Sequence, residues 1–310
     1  MQKKVSGVLC LHKEAGMTSH DAVNKIRRLF NTKQVGHTGT LDPMATGVLP
    51  ILVGRAVKAS EYLLCEDKSY IATLQLGITS DTEDIWGTVL EKSENLPKKE
   101  EVFAVCERFL GEIEQVPPMY SALKVNGRKL CDLARENVQV ERQARKIYVH
   151  RLQVREIDEA KGLYSLNVTV SKGTYIRTLC ADIGQALSCG GVMAGLCRGR
   201  SGSFALENSY TLGQLERFTM EERQECLMPV ELLFFDLPTV TLPAFYGKLC
   251  SAGCPIYLKK INCDFSIGQR LRLYRNGVFF ALGEVQETPE GPAIKALKQF
   301  VLFDDGKKET

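Results

Sequence analysis

The residues best placed to do chemistry crowd into one stretch, Gly36-His37-Thr38-Gly39-Thr40-Leu41-Asp42-Pro43-Met44-Ala45-Thr46-Gly47. Three glycines and a proline within these twelve residues make a tight loop, and Pro43 disfavours the α conformation for Asp42. Such a loop can aim a single carboxylate into a cleft. Asp before Pro also caps turns, and the loop alone leaves both uses open. His37 is likewise either a hydrogen-bonded loop residue or a catalyst. No second carboxylate lies nearby for paired acid–base work, no Ser–His arrangement signals acyl transfer, and no glycine-rich phosphate cradle is present.

The elements that must position this loop can be read from periodicity. Ala22, Val23, Ile26, Leu29 and Phe30 fall at helical spacing, and Thr18 three residues before Asp21 forms a capping box, which predicts a helix over 18–30. Alternation from Tyr70 to Leu76 predicts a strand that starts at Tyr70 and turns this ring to its more apolar face. Val102, Phe103, Cys106, Phe109 and Leu110 predict an amphipathic helix over 98–110. Asn126-Gly127 signals a type I′ hairpin, and Lys161-Gly162 a second one between strands at 146–157 and 163–170. Ile176, Leu179, Cys180, Ile183 and Leu187 predict a helix, so Ser171-Lys172-Gly173 is a strand-to-helix turn whose N–H groups favour anions. The pattern is that of an α+β protein.

Composition limits the function classes. At about 150 residues per domain, 310 residues suggest two domains. The 40 basic and 37 acidic residues leave a net +3, which nominates no partner. The distribution says more, because 124–151 carries eight basic residues against three acidic ones, a surface that could attract phosphates. Any single run of this kind is equally a solvated face. The apolar stretch Val8-Leu9-Cys10-Leu11 ends at His12, too short for a signal sequence, and no run approaches the roughly 18 residues of a membrane span, so a soluble cytoplasmic protein is expected. Eleven cysteines are scattered without a Cys-x-x-Cys pair. The one cluster, Cys250, Cys254 and Cys263, has no histidine near it in sequence, so reduced thiols and no metal are expected.

Several blocks taken together resemble the TruB family, the tRNA pseudouridine-55 synthases. They are Gly16-Met17-Thr18-Ser19, the loop from Gly36 to Pro43, Lys68-Ser69-Tyr70, the run from Gln115 to Gly127, and Ser171-Lys172-Gly173-Thr174-Tyr175-Ile176-Arg177-Thr178-Leu179, in family order. The resemblance is strong over about residues 6–215 and weak beyond. It implies a pseudouridine synthase catalytic fold, a mixed and mainly antiparallel sheet flanked by helices, with a small β-rich PUA-like domain after it. The implied domains are 1–235, with a T-arm-binding insertion near 115–150, and 236–310.

The resemblance also implies roles. Asp42 matches the catalytic aspartate that breaks the glycosidic bond of a flipped-out uridine so that the base can reattach through C5. Arg177 matches the arginine that pairs with it and fixes its rotamer. Tyr70 matches the tyrosine that lies against the uracil and helps remove the C5 proton. Tyr175 and Leu196 match residues of the base pocket. His37 matches a ring that fills the gap left by the flipped base. Lys172, at the strand-to-helix turn, could bind a phosphate or be a solvated surface charge, and Lys13 is a candidate substrate-binding residue. Such an isomerisation needs no cofactor or metal. The implied partner is the T stem-loop of tRNA, bound by a monomer with no obligatory protein partner and no membrane.

Two departures stand out. Lys13-Glu14-Ala15 replaces the Lys-Pro pair that precedes Gly16 in the family, and Leu196-Cys197-Arg198-Gly199-Arg200 replaces Leu-Arg-Arg-Thr, so neither arginine receives a role. Two other functions compete on the same scaffold: a non-catalytic tRNA-binding chaperone, against which the joint presence of Asp42, Tyr70 and Arg177 argues, and a guide-RNA-dependent synthase subunit.

Overall fold

The computed structural model describes residues 5–62, 67–136 and 138–303. Strand β1 (Gly7–Lys13) leads into helix α1 (Ser19–Leu29), which starts at the expected capping box: Asp21 N–H donates to the Thr18 hydroxyl and Thr18 N–H to the Asp21 carboxylate, each at 3.0 Å. Strands β2 (Val35–His37) and β3 (Thr46–Val53) pair as a hairpin, and the Asp42 loop is its connection. Strand β4 (Lys68–Leu76) begins two residues before the expected Tyr70, whose ring faces inward with Ala72, Leu74 and Leu76 as the alternation requires.

A small hairpin, β5 (Ile78–Ser80) and β6 (Val89–Lys92), precedes helix α2 (Lys99–Glu107) and strand β7 (Gly111–Gln115). Asn126 (φ 50°) and Gly127 (φ 82°) both take positive φ between β8 (Lys124–Val125) and β9 (Arg128–Lys129), as a type I′ turn demands. Helix α3 (Leu130–Arg135) follows, then the long strand β10 (Arg145–Asp158), a 3-10 turn at Glu159–Lys161, and β11 (Leu163–Val170). Helix α4 (Ile176–Ala186) and strand β12 (Gly191–Ser201) are followed by the short strands β13 (Phe204–Ala205) and β14 (Tyr210–Thr211) and helices α5 (Leu212–Arg217) and α6 (Met220–Glu225).

Among the described residues ten of these strands form one sheet in the order β14-β1-β3-β12-β4-β11-β10-β7, with β2 beside β3 and β13 beside β12. Pairing is antiparallel except at β1–β14 and β3–β12. A second sheet, ordered β15-β17-β18-β19-β16, comprises β15 (Thr239–Thr241), β16 (Ile256–Tyr257), β17 (Arg270–Arg275), β18 (Val278–Gln286) and β19 (Ala293–Gln299), with helices α7 (Ala244–Ser251) and α8 (Leu258–Ile261) beside it. The architecture is the expected α+β one, with a small β-rich PUA-like part after it.

The unbroken apolar runs of β1 and β3 have a physical reason, since both faces of these strands are covered. Leu9, Leu11, Leu49 and Ile51 face the main core with α1 and α4. Val8, Cys10, Val48 and Leu52 face a second core shared with Phe279, Leu282 and Phe300 of the C-terminal sheet. The ten described cysteines are free and six are buried, while Cys65 lies outside the described residues. No described helix is long and apolar enough to cross a membrane.

Candidate active site

The loop from Gly39 to Ala45 has no regular structure of its own and is held by its neighbours. Buried Arg198 on β12 donates through Nη2 to Gly39 O (3.1 Å), through Nη1 to Thr40 O (3.5 Å) and through Nε to Val48 O (2.7 Å). Ser19, at the start of α1, takes the Leu41 N–H and donates its hydroxyl to the Leu41 carbonyl, at 2.9 and 3.0 Å. Gly16 N–H reaches Pro43 O at 3.0 Å, and Ala45 N–H reaches Asp42 O at 3.1 Å. The Lys13 ammonium, fully buried at the end of β1, donates to Glu14 O (2.9 Å), Pro43 O (3.0 Å) and Ala45 O (2.7 Å). Every carbonyl from Gly39 to Pro43 is therefore occupied, and the Asp42 backbone has little freedom.

The Asp42 side chain emerges from this clamp against Arg177, on the first turn of α4. Arg177 Nε lies 2.9 Å from Oδ2 and Nη2 lies 3.4 Å from Oδ1, a two-pronged contact that fixes the carboxylate rotamer. The guanidinium is buried, with a side-chain exposure of 6% against 37% for the carboxylate. Its remaining N–H groups go to Thr82 O (3.1 Å) and Tyr120 O (2.8 Å). Next to it, Thr178 donates its hydroxyl to Glu83 Oε2 at 2.5 Å, tying α4 to the loop that carries Thr82, and burial raises the Glu83 carboxyl above the usual carboxylate range.

Asp42, Tyr70, Lys172, Tyr175, Arg177 and Leu196 line one pocket of about 330 Å³, near the lower limit of small-molecule sites. Tyr70 enters from β4, Leu196 from β12, and Tyr175 from the N-cap of α4. Buried Gln115 fixes Tyr175 by taking its N–H (2.8 Å) and donating to its carbonyl (3.0 Å). Burial raises the Tyr175 phenol above its ordinary range, so it stays neutral. The turn at 171–173 places Lys172 on the rim, but α4 itself begins only at Ile176, and the Tyr175 N–H is committed to Gln115 rather than open to an anion.

Two expected site residues lie elsewhere. His37 closes β2 beside the loop and outside the pocket lining; its Nδ1 accepts Gly39 N–H at 3.3 Å, and burial followed by the Arg198 charge lowers its pKa, so it is a neutral ring. Lys13 is a correction. It sits beneath the loop with its ammonium committed to three carbonyls, and so it buttresses the loop from below instead of facing substrate. The sequence assigns Arg198 no role, because its block departs from the family pattern. Ser19 and Gln115 stood inside matching blocks, yet nothing in their spacing showed which backbone they would hold.

The arrangement presents one rigid carboxylate, oriented by a buried cation, at the mouth of a pocket walled by two tyrosines and a leucine. Such a site suits covalent or general-base work on a small planar ligand. Residues 27–176 match the N-terminal domain of the TruB family of pseudouridylate synthases, and residues 177–234 match the C-terminal domain of tRNA pseudouridylate synthase B. The tRNA pseudouridine synthase B of Alkaliphilus oremlandii is 40% identical over 97% of this chain and 99% of its own length, and that of Dechloromonas aromatica is 44% identical over 91% and 92%. Among solved structures, a Cbf5–Nop10–Gar1 complex aligns with a TM-score of 0.70 at 26% identity, covering 96% of this chain and 85% of the other. An H/ACA ribonucleoprotein bound to a substrate RNA containing 2′-deoxyuridine aligns with a TM-score of 0.71 at 24% identity over the same shares. With both family domains matched in order and close relatives spanning nearly its whole length, the chain belongs to the TruB family of pseudouridylate synthases.

Proposed function

We propose that this chain converts uridine to pseudouridine at position 55 in the T loop of tRNA, with Asp42 as its catalytic carboxylate. The observation that carries this reading is the carboxylate held by buried Arg177 at the mouth of the Tyr70–Tyr175–Leu196 pocket. A uridine flipped out of the loop would place its base between these side chains and its ribose against Asp42. The carboxylate then acts on the sugar, either at C1′ as a nucleophile or at C2′ as a base. The freed base turns in the pocket and bonds through C5, whose proton leaves with help from Tyr70. Arg177 keeps the carboxylate aimed throughout, and neutral His37 beside the loop fills the gap left in the RNA stack.

The relatives named as tRNA pseudouridine synthase B support tRNA as the substrate. In this reading the chain acts as a cytoplasmic monomer on RNA without guide or protein subunits. The segment 115–150 grips the T arm, Lys172 meets a phosphate, and 236–310 forms an RNA-binding PUA-like domain.

The test is Asp42→Asn assayed on a T-arm stem-loop and on unmodified tRNA transcript. The wild-type chain alone should form pseudouridine at the expected site; the variant should bind within about threefold and form none, since the amide keeps the shape and loses the carboxylate chemistry. Product from Asp42→Asn, or a wild type that needs added subunits, would refute the reading.

A further inference from the structure

Tyr148 and His150, at the end of the 115–150 segment, take no part in the chemistry proposed for the pocket, yet the fold presents them as a pair. They lie on the same face of β10 at a bulge, with ring centroids 4.8 Å apart and ring planes at 39°. Their neighbours Ile147 and Val149 are buried, so strand alternation turns both rings away from the core, and Tyr148 is 46% exposed. Both residues are tied to the rim of the pocket, Tyr148 through its backbone and His150 through its ring. Tyr148 N–H donates to the Ser171 hydroxyl and Ser171 N–H to the Tyr148 carbonyl, both at 2.8 Å, and Ser171 lines the pocket. His150 Nε2 lies 3.2 Å from the Asp67 carboxylate, and the next residue, Lys68, also lines the pocket.

The surroundings select the kind of ligand. Close to the pair stand Ser171 with Lys172 next to it, and Arg151 with its register partner Thr169, while Asp67 meets His150 and Glu112, itself paired with Lys146, lies opposite Tyr148; this polar and charged company differs from the apolar surface a protein partner would bury. An exposed π-face beside cations is what an unpaired nucleotide requires, since the base stacks while its phosphate meets the charge. We propose that Tyr148 and His150 form a stacking platform for an unpaired nucleotide of the substrate RNA as it leaves the pocket past the 171–173 turn. This rests on the RNA-modifying reading of the site and adds a second point of grip to it.

The test measures the dissociation constant of a T-arm stem-loop over a salt series, together with the single-turnover rate at saturating RNA, for Tyr148→Ala, Tyr148→Phe, His150→Ala and Lys172→Ala. Tyr148→Ala should weaken binding about tenfold, the effect of one lost base stack, and Tyr148→Phe should restore it to within about twofold. His150→Ala should weaken binding about threefold. A neutral ring releases no counterions, so the salt slope of Tyr148→Ala should equal that of the wild type, whereas Lys172→Ala should flatten it. Unchanged affinity of Tyr148→Ala in a chain that makes pseudouridine, or a loss traced to a changed salt slope, would overturn the platform and leave the proposed activity intact. A wild type that forms no pseudouridine but still binds RNA through Tyr148 would strike the activity and uphold the platform.

Discussion

Beneath the Asp42 loop, the buried Lys13 ammonium donates to three backbone carbonyls. Burial lowers its pKa from 10.5 to about 8, against the pull of the Asp42 charge, which raises it. As the ammonium it has three N–H donors for three carbonyls. As the neutral amine it has two, so one of Glu14, Pro43 and Ala45 loses its donor and the loop beneath Asp42 slackens. The single-turnover rate should therefore fall as pH rises through about 8. Stability should move the other way. Between about 8 and 10.5 the unfolded chain holds the Lys13 proton and the folded chain does not, so this group makes the fold more stable as pH rises. A pH–rate profile set beside urea melts at each pH would show the two diverging. Lys13→Met, with no proton to lose, should be slower at neutral pH by about tenfold or more and should lack the alkaline limb. An alkaline limb that survives in Lys13→Met would assign it to another group.

The Asp42 loop shows which elements a sequence reveals and which it hides. The strand and helix that carry Tyr70 and Arg177 were legible because their apolar residues repeat at periods of two and 3.6, and the β8–β9 turn because only a few residue pairs accept its backbone angles. The clamp on the loop was not legible, since Arg198 and Gly39 are 159 positions apart and Lys13 and Ala45 are 32 apart, and no local pattern records such meetings. Hence the sequence alone points Lys13 toward the substrate and leaves Arg198 without a role. Gly47 tests the clamp at its tightest point, where β3 runs beside β12. Its φ is +103°, and a Cβ there would lie 2.3 Å from the Arg198 carbonyl oxygen, against backbone that cannot yield. Gly47→Ala should cost roughly 2–3 kcal/mol in urea melts and abolish activity by displacing Arg198 from the loop. Gly36→Ala, which meets only Val57 at 3.7 Å, should be near neutral in stability. Equal melts for Gly47→Ala and the wild type would show that β3 and β12 can separate without harm to the loop.

At the scale of the whole molecule, the same strands that hold the site also join the two sheets. One face of β1 and β3 supports the Asp42 loop and the main core, while Val8, Cys10, Val48 and Leu52 on the other face are covered by Phe234, Phe279, Leu282 and Phe300. Phe279 and Phe300 stack at 5.6 Å, and Phe234 lies 6.1 and 5.7 Å from them. Arg55 donates to Gln299 O at 3.0 Å, and Lys298 pairs with Glu61 at 2.6 Å, so polar contacts close the rim of this interface. A core shared in this way makes the C-terminal sheet part of what keeps β1 flat beneath the loop, and the two sheets should unfold as one unit. The single tryptophan makes this measurable, because Trp86 lies on the β5–β6 hairpin loop, whose Thr82 carbonyl accepts from Arg177, and is remote in sequence from the C-terminal sheet. Phe300→Ala should lower stability by about 3–5 kcal/mol and shift the Trp86 fluorescence midpoint together with the far-UV circular dichroism midpoint. A Trp86 transition that stays in place while the circular dichroism melts earlier would show that the sheets fold independently, and that the shared core joins them without supporting the site.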